Sequence, residues 1–221
     1  MADLGINVIF EGRNLVRILE GLGVTVGISA LSVVLSLVLG VFVGLGMRSR
    51  WRVLRWLMQI YLEFVRIMPQ LVLLFVAYFG LTRVAGINLD GITASVLVFT
   101  LWGGAEMGDL VRGALVSIDR HQSEAALAIG LSKAQTYRYI LLPQSLRRVL
   151  PGVVNLLTRM VKTTALAALI GVVDLVKVAQ QIIELHPWSS LLIYGTVFLL
   201  YFLICYPLSL LAAHLEHKER S

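Results

Sequence analysis

The sequence predicts an all-α integral membrane protein: five transmembrane helices in one domain, residues 1–221, with a single helical loop on the cytoplasmic side. Three observations carry this prediction. The chain is 58% hydrophobic and 14% charged, with a mean hydropathy of +0.85. Soluble domains are about 45–50% apolar and about 25% charged, so these few charges cannot coat a soluble globule, and a disordered chain is excluded on the same grounds. The 221 residues, at roughly 20 apolar residues per helical crossing, hold about five or six spans and leave no room for a soluble catalytic domain. The net charge of +6 comes from basic residues scattered between apolar runs, which is the pattern of membrane topology and excludes a nucleic-acid surface.

Residues 1–20 carry Asp3, Glu11, Arg13, Arg17 and Glu20, and the apolar stretch after them is too long for a signal-peptide core, so no cleaved signal is expected. Apolar positions at 4, 8, 15 and 18–19 predict an amphipathic helix along the outer interface. The first span is the uncharged run Leu22 to Met47. Its pairs Gly23/Gly27 and Gly40/Gly44 have small-xxx-small spacing, which predicts close packing on another helix. The second span, about Trp56 to Leu81, is interrupted by Pro69. The third runs from Ile92 to Ile118, the fourth from about Val149 to Val173, and the fifth from Leu191 to Ala213. Cys205 lies in an apolar run and carries no disulfide signal.

The positive-inside rule orients these spans. With the first span ending in the cytoplasm, the inner segments hold eleven cations: Arg48, Arg50, Arg52, Arg55, Arg120, Lys133, Arg138, Arg147, Arg148, Lys218 and Arg220. The outer segments hold four: Arg13, Arg17, Arg83 and Lys177. The amino terminus is therefore expected outside and the carboxyl terminus in the cytoplasm.

The inner loop over 119–147 is long for a connection between membrane helices, and it reads as two short helices. Asp119 caps the first, over about 120–129, and Gly130 ends it. Ser132 with Gln135 forms a capping box for the next, and Pro143 marks a break before the fourth span. Ala125, Ala126 and Ala128 give the first helix a small-residue surface suited to a partner's groove. An ordinary amphipathic connector lying on the inner leaflet is the competing reading.

Ionisable residues inside spans are costly and tend to face the bundle interior or a water-filled path. Here they are Glu63, Arg66, Glu106, Asp109, Arg112, Arg159 and Lys162. Glu63–Arg66 and Asp109–Arg112 have i,i+3 spacing and are expected to neutralise each other as structural pairs. On the fourth span Pro151, Asn155, Thr158, Arg159 and Lys162 form one polar stripe, with Arg159 and Lys162 roughly 15–20 Å deep. Glu106 lies at a similar depth on the third span and lacks a local basic partner. A carboxylate and two cations there suit the ammonium and carboxylate of an amino acid; salt bridges between the helices, or a subunit interface, are the alternatives. Asp174, Lys177, Glu184 and His186 read as a polar outer segment, a gate or docking element if not a solvated loop. His214, Glu216 and His217 read as a solvated tail, and no metal site is expected. On residues alone, an ion-coupled secondary transporter working without an ATPase, with the embedded carboxylates as cation sites, is an alternative to an ATP-driven one.

Glu124-Ala125-Ala126, three residues, Gly130, nine residues, then Ile140-Leu141-Leu142-Pro143 reproduces the EAA-x3-G-x9-I-x-L-P loop of the membrane subunits of ABC importers. The chain further resembles the polar amino-acid importers over about residues 20–215, including the Arg66–Pro69 element. Their acidic residue before RG is echoed by Asp109 ahead of Arg112-Gly113. Their LPQ-x-LR-x-x-x-P-x-x-x-N is matched from Leu142 to Asn155, and their K-x-T-[S]-L by Lys162-Thr163-Thr164-Ala165-Leu166. Departures are Asp109 for a usual glutamate, Glu106 for a common tyrosine, Ala165 for a serine and Ile67-Met68 for Gly-Thr; none lies in the loop.

The resemblance implies a type I ABC importer permease of the bacterial cytoplasmic (inner) membrane that moves a polar amino acid by alternating access. It implies a second permease subunit, identical or related, two cytoplasmic ATPase subunits and an extracytoplasmic solute-binding protein. Glu124, Ala125, Ala126 and Gly130 would form the coupling helix seated on an ATPase. Arg66, Glu106, Asn155, Arg159, Lys162, Thr163 and Thr164 are the candidates for the substrate pathway. The chain has no G-x-x-x-x-G-K-[ST] and no Gly-Lys pair, so it is expected to bind no cofactor and to carry out no catalysis itself; ATP and Mg belong to the partner ATPase.

Overall fold

The computed structural model describes the backbone of residues 6–220 and the side chains of residues 7–84 and 86–218. Asp3 and Leu4 lie outside the described residues. Described in chain order, the helices are α1 (Ile6–Phe10), α2 (Asn14–Gly46), α3 (Arg52–Ile67), α4 (Gln70–Phe75), α5 (Leu81–Ala85), α6 (Gly91–Ser117), α7 (Arg120–Ala128), α8 (Lys133–Thr136), α9 (Leu142–Thr163), α10 (Leu175–Leu185) and α11 (Ser190–Arg220). π-Helical turns at Val76–Gly80 and Tyr137–Leu141, and 3-10 turns at Thr164–Ile170 and Pro187–Ser189, lie between them. Among the described residues four stretches are long and apolar enough to cross a bilayer: Asn14–Gly46, Gly91–Ser117, Lys133–Ile170 and Pro187–Lys218. The broken pair Arg52–Ile67 and Gln70–Val84 gives a fifth when it counts as one span.

Two boundaries differ from the sequence reading, and the break expected at Pro69 is present. The helix expected over 4–20 is not one element among the described residues, where it is the short α1, a turn at Gly12, and the start of α2. Residues from Asn14 continue the backbone ladder of the first span, and Ile18 is buried in an apolar cluster. The second span breaks at Met68–Pro69, both in extended conformation, because the proline ring disfavours a helical residue before it. Pro143, by contrast, makes no break. It sits in the first turn of α9, directly after a π turn in which Leu142 N–H bonds the Tyr137 carbonyl. The missing N–H of Pro143 falls in the first turn of α9, where proline is tolerated, and Lys133–Ile170 is one continuous stretch.

Packing divides the chain into two compact units. One comprises Met1–Val33, Pro69–Phe99 and Leu157–Pro207. Its core gathers Val8, Ile18, Leu175, Val178, Ile182 and Ile193. The stretch after Asp174, expected as a solvated loop, is therefore a helix with a buried face. Alternation of Leu175, Val178, Ala179 and Ile182 at helical spacing gives α10 an apolar stripe.

The other unit comprises Val34–Met68, Thr100–Leu156 and Leu208–Ser221. Here α2 and α6 cross through two glycine pairs, Gly40/Gly44 and Gly104/Gly108. A Cβ placed on Gly44 would lie 2.8 Å from Val111 Cβ, one on Gly104 2.5 Å from Leu39 Cδ2, and one on Gly108 2.6 Å from Val43 Cγ1. Each pair thus admits the other helix's side chains, the close approach that small residues allow in a membrane. Gly23 and Gly27 share the motif but, among the described residues, have no neighbour that a Cβ would meet within 4 Å, so the packing expected of them is not seen there.

Candidate functional site

The loop element is built from local chemistry. Asp119 caps α7 by accepting from His121 N–H at 3.0 Å. Gly130, at φ +85, ends it in a Schellman turn, with Gly130 N–H on the Leu127 carbonyl and Leu131 N–H on that of Ala126. Ser132 and Gln135 form the reciprocal capping box of α8, at 2.8 and 3.3 Å. Of the motif residues only Ala126 is buried; Glu124, Ala125 and Gly130 are exposed, and so are the apolar Leu127 and Ile129. Glu124 lies 3.3 Å from His121 Nδ1 on the same helix. Two contacts missed from sequence fix the base of this element: Gln144 Nε2 donates to Gln122 Oε1 at 3.3 Å, and Arg148 Nη1 donates to Ser117 Oγ at 2.5 Å. Gln144 stood in the LPQ-x-LR match, whereas Arg148, which falls just after its LR, carried only a topological reading.

The embedded charges of the second unit pair differently from expectation. Arg66 does not pair with Glu63, which is exposed and forms no ion pair among the described residues. It crosses to α6, with Nε 3.3 Å from Glu106 Oε1 and Nη1 3.1 Å from Asp109 Oδ2. The expected i,i+3 pair Asp109–Arg112 is present, with Arg112 Nη2 2.6 Å from Oδ1. Two carboxylates one turn apart offer a guanidinium a better receptor than Glu63 on its own helix. Glu106, which lacks a local basic partner, has one across the helices in Arg66, the inter-helix salt bridge given as an alternative. Both α6 carboxylates are thus held in ion pairs.

Asn155, Arg159 and Lys162 are each exposed on α9, as helical spacing predicts. Asn155 donates from Nδ2 to Glu216 Oε1 at 3.1 Å. Glu216 thus belongs to the helical end of α11 and is engaged, where a solvated tail was expected. Thr163 ends α9 and Thr164 begins the 3-10 turn. Thr164 is fully buried, with its hydroxyl donating to the Val161 carbonyl at 2.7 Å, so within this chain it faces packing.

In the first unit Asp174 is fully buried at the start of α10. Its Oδ1 accepts from Lys177 N–H at 2.8 Å, while Oδ2 has no hydrogen-bond partner among the described residues. Burial pushes its carboxyl up to about 6, against the lowering effect of the Lys177 N–H bond. Thr25 Oγ1 accepts from the adjacent Leu175 N–H at 3.3 Å. A Cβ at Gly21 would sit 2.9 Å from the Asp174 carbonyl oxygen, so α2 approaches this turn backbone to backbone.

Residues 36–221 match the family described as "Binding-protein-dependent transport system inner membrane component". The chain is 37% identical to the "Probable amino-acid ABC transporter permease protein YckA" of Bacillus subtilis (strain 168), over 85% of this chain and 82% of that protein. It is 32% identical to the "Probable glutamine ABC transporter permease protein GlnP" of the same organism, over 95% of this chain and 97% of that one. Its fold matches the crystal structure of an amino acid ABC transporter with histidines at a TM-score of 0.86 and 26% identity, covering 93% of this chain and 95% of that chain. With its exposed EAA-x3-G helix and its membrane-spanning helices, the chain belongs to the binding-protein-dependent transport system inner membrane components, the permease subunits of ABC importers.

Proposed function

We propose that the chain moves a polar amino acid into the cytoplasm by alternating access, powered by two ATPase subunits that dock on α7. The observation that carries this reading is α7 itself: a capped helix held at its base by Gln122–Gln144, with Ala125, Leu127 and Ile129 exposed. Exposed apolar surface beside small residues is what a partner's groove covers. ATP and Mg bind in the partner, and nucleotide-driven closure of the ATPase pair moves α7 and, through α9, the membrane helices. This chain pairs with a second permease subunit and receives its substrate from an extracytoplasmic solute-binding protein. Relatives described as amino-acid and glutamine permeases support the substrate class. Arg159 and Lys162, exposed on α9, supply cations for the substrate carboxylate, with Thr163 beside them. The orientation read from the basic residues puts the amino terminus outside and α7 in the cytoplasm of a bacterial inner membrane.

The test is uptake and ATP hydrolysis by the reconstituted importer carrying Glu124→Ala or Ala125→Trp. Either change should break the link between hydrolysis and uptake while the chain stays inserted. Normal ATPase binding and normal transport in both variants would overturn the reading.

A further inference from the structure

Two recesses of the second unit adjoin on α9. At the start of the helix a cleft of about 440 Å³ is lined by Gln144, Arg147, Arg148, Leu150, Leu215 and Lys218. Among the described lining residues Arg147, Arg148 and Lys218 are cations. Beside it lies an almost wholly apolar groove of about 410 Å³, walled by Leu37, Leu45, Met107, Leu146, Val149 and Val153 among others. Leu150 lines both recesses. The α2 wall of the groove, from Leu45 to Leu37, extends about 12 Å along the helix axis.

We propose that this double recess binds one anionic phospholipid, its phosphate in the basic cleft and a stretch of one acyl chain in the groove. The chemistry is complementary at each end. Two guanidiniums and an ammonium converge where a membrane-spanning helix begins, which is the depth of a headgroup. Guanidinium forks match phosphate oxygens, and basic pockets between membrane helices take anionic headgroups. Arg148 is already oriented by its bond to Ser117 at 2.5 Å. A free anion would use the cleft alone; an amphiphile is the ligand that uses the cleft and an adjoining apolar groove together. The lipid would also pack along α9 just beyond Gln144, the residue that holds α7, and would brace the base of the loop. The proposal does not depend on which solute is carried.

The complete importer, reconstituted in nanodiscs of phosphatidylcholine with a minor share of phosphatidylglycerol, provides the test, with lipids retained on mild extraction counted by native mass spectrometry. Phosphatidylglycerol should be retained several-fold above its bulk share. Arg147→Glu with Lys218→Glu should return retention to the bulk share, and the conservative Arg147→Lys with Lys218→Arg should keep it. Val149→Phe, which fills the groove without touching a charge, should weaken retention as well, and a matched thermal midpoint shows that the variants remain folded. Unchanged retention in the charge-reversed importer overturns the proposal. So does retention abolished by inorganic phosphate at modest concentration, which marks a free-anion site. Retention by the isolated chain that disappears in the assembled importer also overturns it, because a partner subunit then covers the recess.

Discussion

Arg66 on α3 reaches Asp109 on α6, Nη1 to Oδ2 at 3.1 Å, and in the same conformation holds Glu106 through Nε at 3.3 Å. Arg112 closes the network from the other side of Asp109, so two acids and two guanidiniums cancel. The arrangement ties α3 to α6 within the second unit.

Arg66→Ala should therefore destabilise the chain by leaving two carboxylates short of one cation. Because Arg66 is 43% exposed, the loss is about 1 kcal/mol, below the ~3–5 kcal/mol of a fully buried broken pair. A double-mutant cycle with Asp109→Asn, read by thermal unfolding in detergent, should show a coupling of the same size. Additive losses would exclude a direct interaction.

Gly44→Ala should cost about 1–3 kcal/mol, because its methyl would enter contact range of Val111 at 2.8 Å and α6 must retreat. Gly23→Ala, with the same sequence motif and open space around it, should be neutral or slightly stabilising, since alanine is the better helix former. Thermal midpoints of the two variants, compared side by side, check the distinction.

Asp174 gives stability a pH dependence of known sign. Its folded carboxyl is raised from 3.8 to about 6 by burial, so between these values the folded state binds more protons than the unfolded state. Stability should then fall as pH rises from about 4 to about 6 and level off above. Asp174→Asn keeps the Lys177 N–H acceptor and should flatten that slope. Unfolding midpoints across the pH range are the measurement, and an unchanged slope would assign the dependence to another group.

What could be read from the sequence was what depends on near neighbours. Asp119, Gly130 and the Ser132–Gln135 box sit where their residue types require, because caps satisfy backbone groups within one turn. The break at Pro69 follows from the ring of that residue alone. The readings that failed involve distant partners: Arg66 had Glu63 at the right spacing, yet its carboxylates lie on another helix. Gly23/Gly27 and Gly40/Gly44 are indistinguishable as motifs, and only the position of α6 separates them. Asp174 was legible only as part of a polar outer segment; the helix it caps and its burial depend on the distant apolar partners of α10 and on the approach of α2 at Gly21. Pro143 failed for a local reason, since a π turn before it is not encoded by any breaker residue.

Gly130 provides the sharpest separation between fold and function at the loop. Its φ of +85 is a conformation that asparagine tolerates and that β-branched residues resist. Gly130→Asn should keep the Schellman turn, the thermal midpoint and coupled uptake close to those of the native chain. Gly130→Ala should strain the turn by about 1 kcal/mol, and Gly130→Val by more. Because nothing lies within 4 Å of a Cβ at this position, the penalty is conformational and not steric. It falls on the end of α7, which is exposed and outside the cores of both units, so insertion should persist while α7 loses its fixed termination. The expected order for uptake per ATP hydrolysed in the reconstituted importer is glycine, asparagine, alanine, valine, with ATPase binding falling least. If valine transports as well as asparagine, the turn at Gly130 is not part of the coupling element.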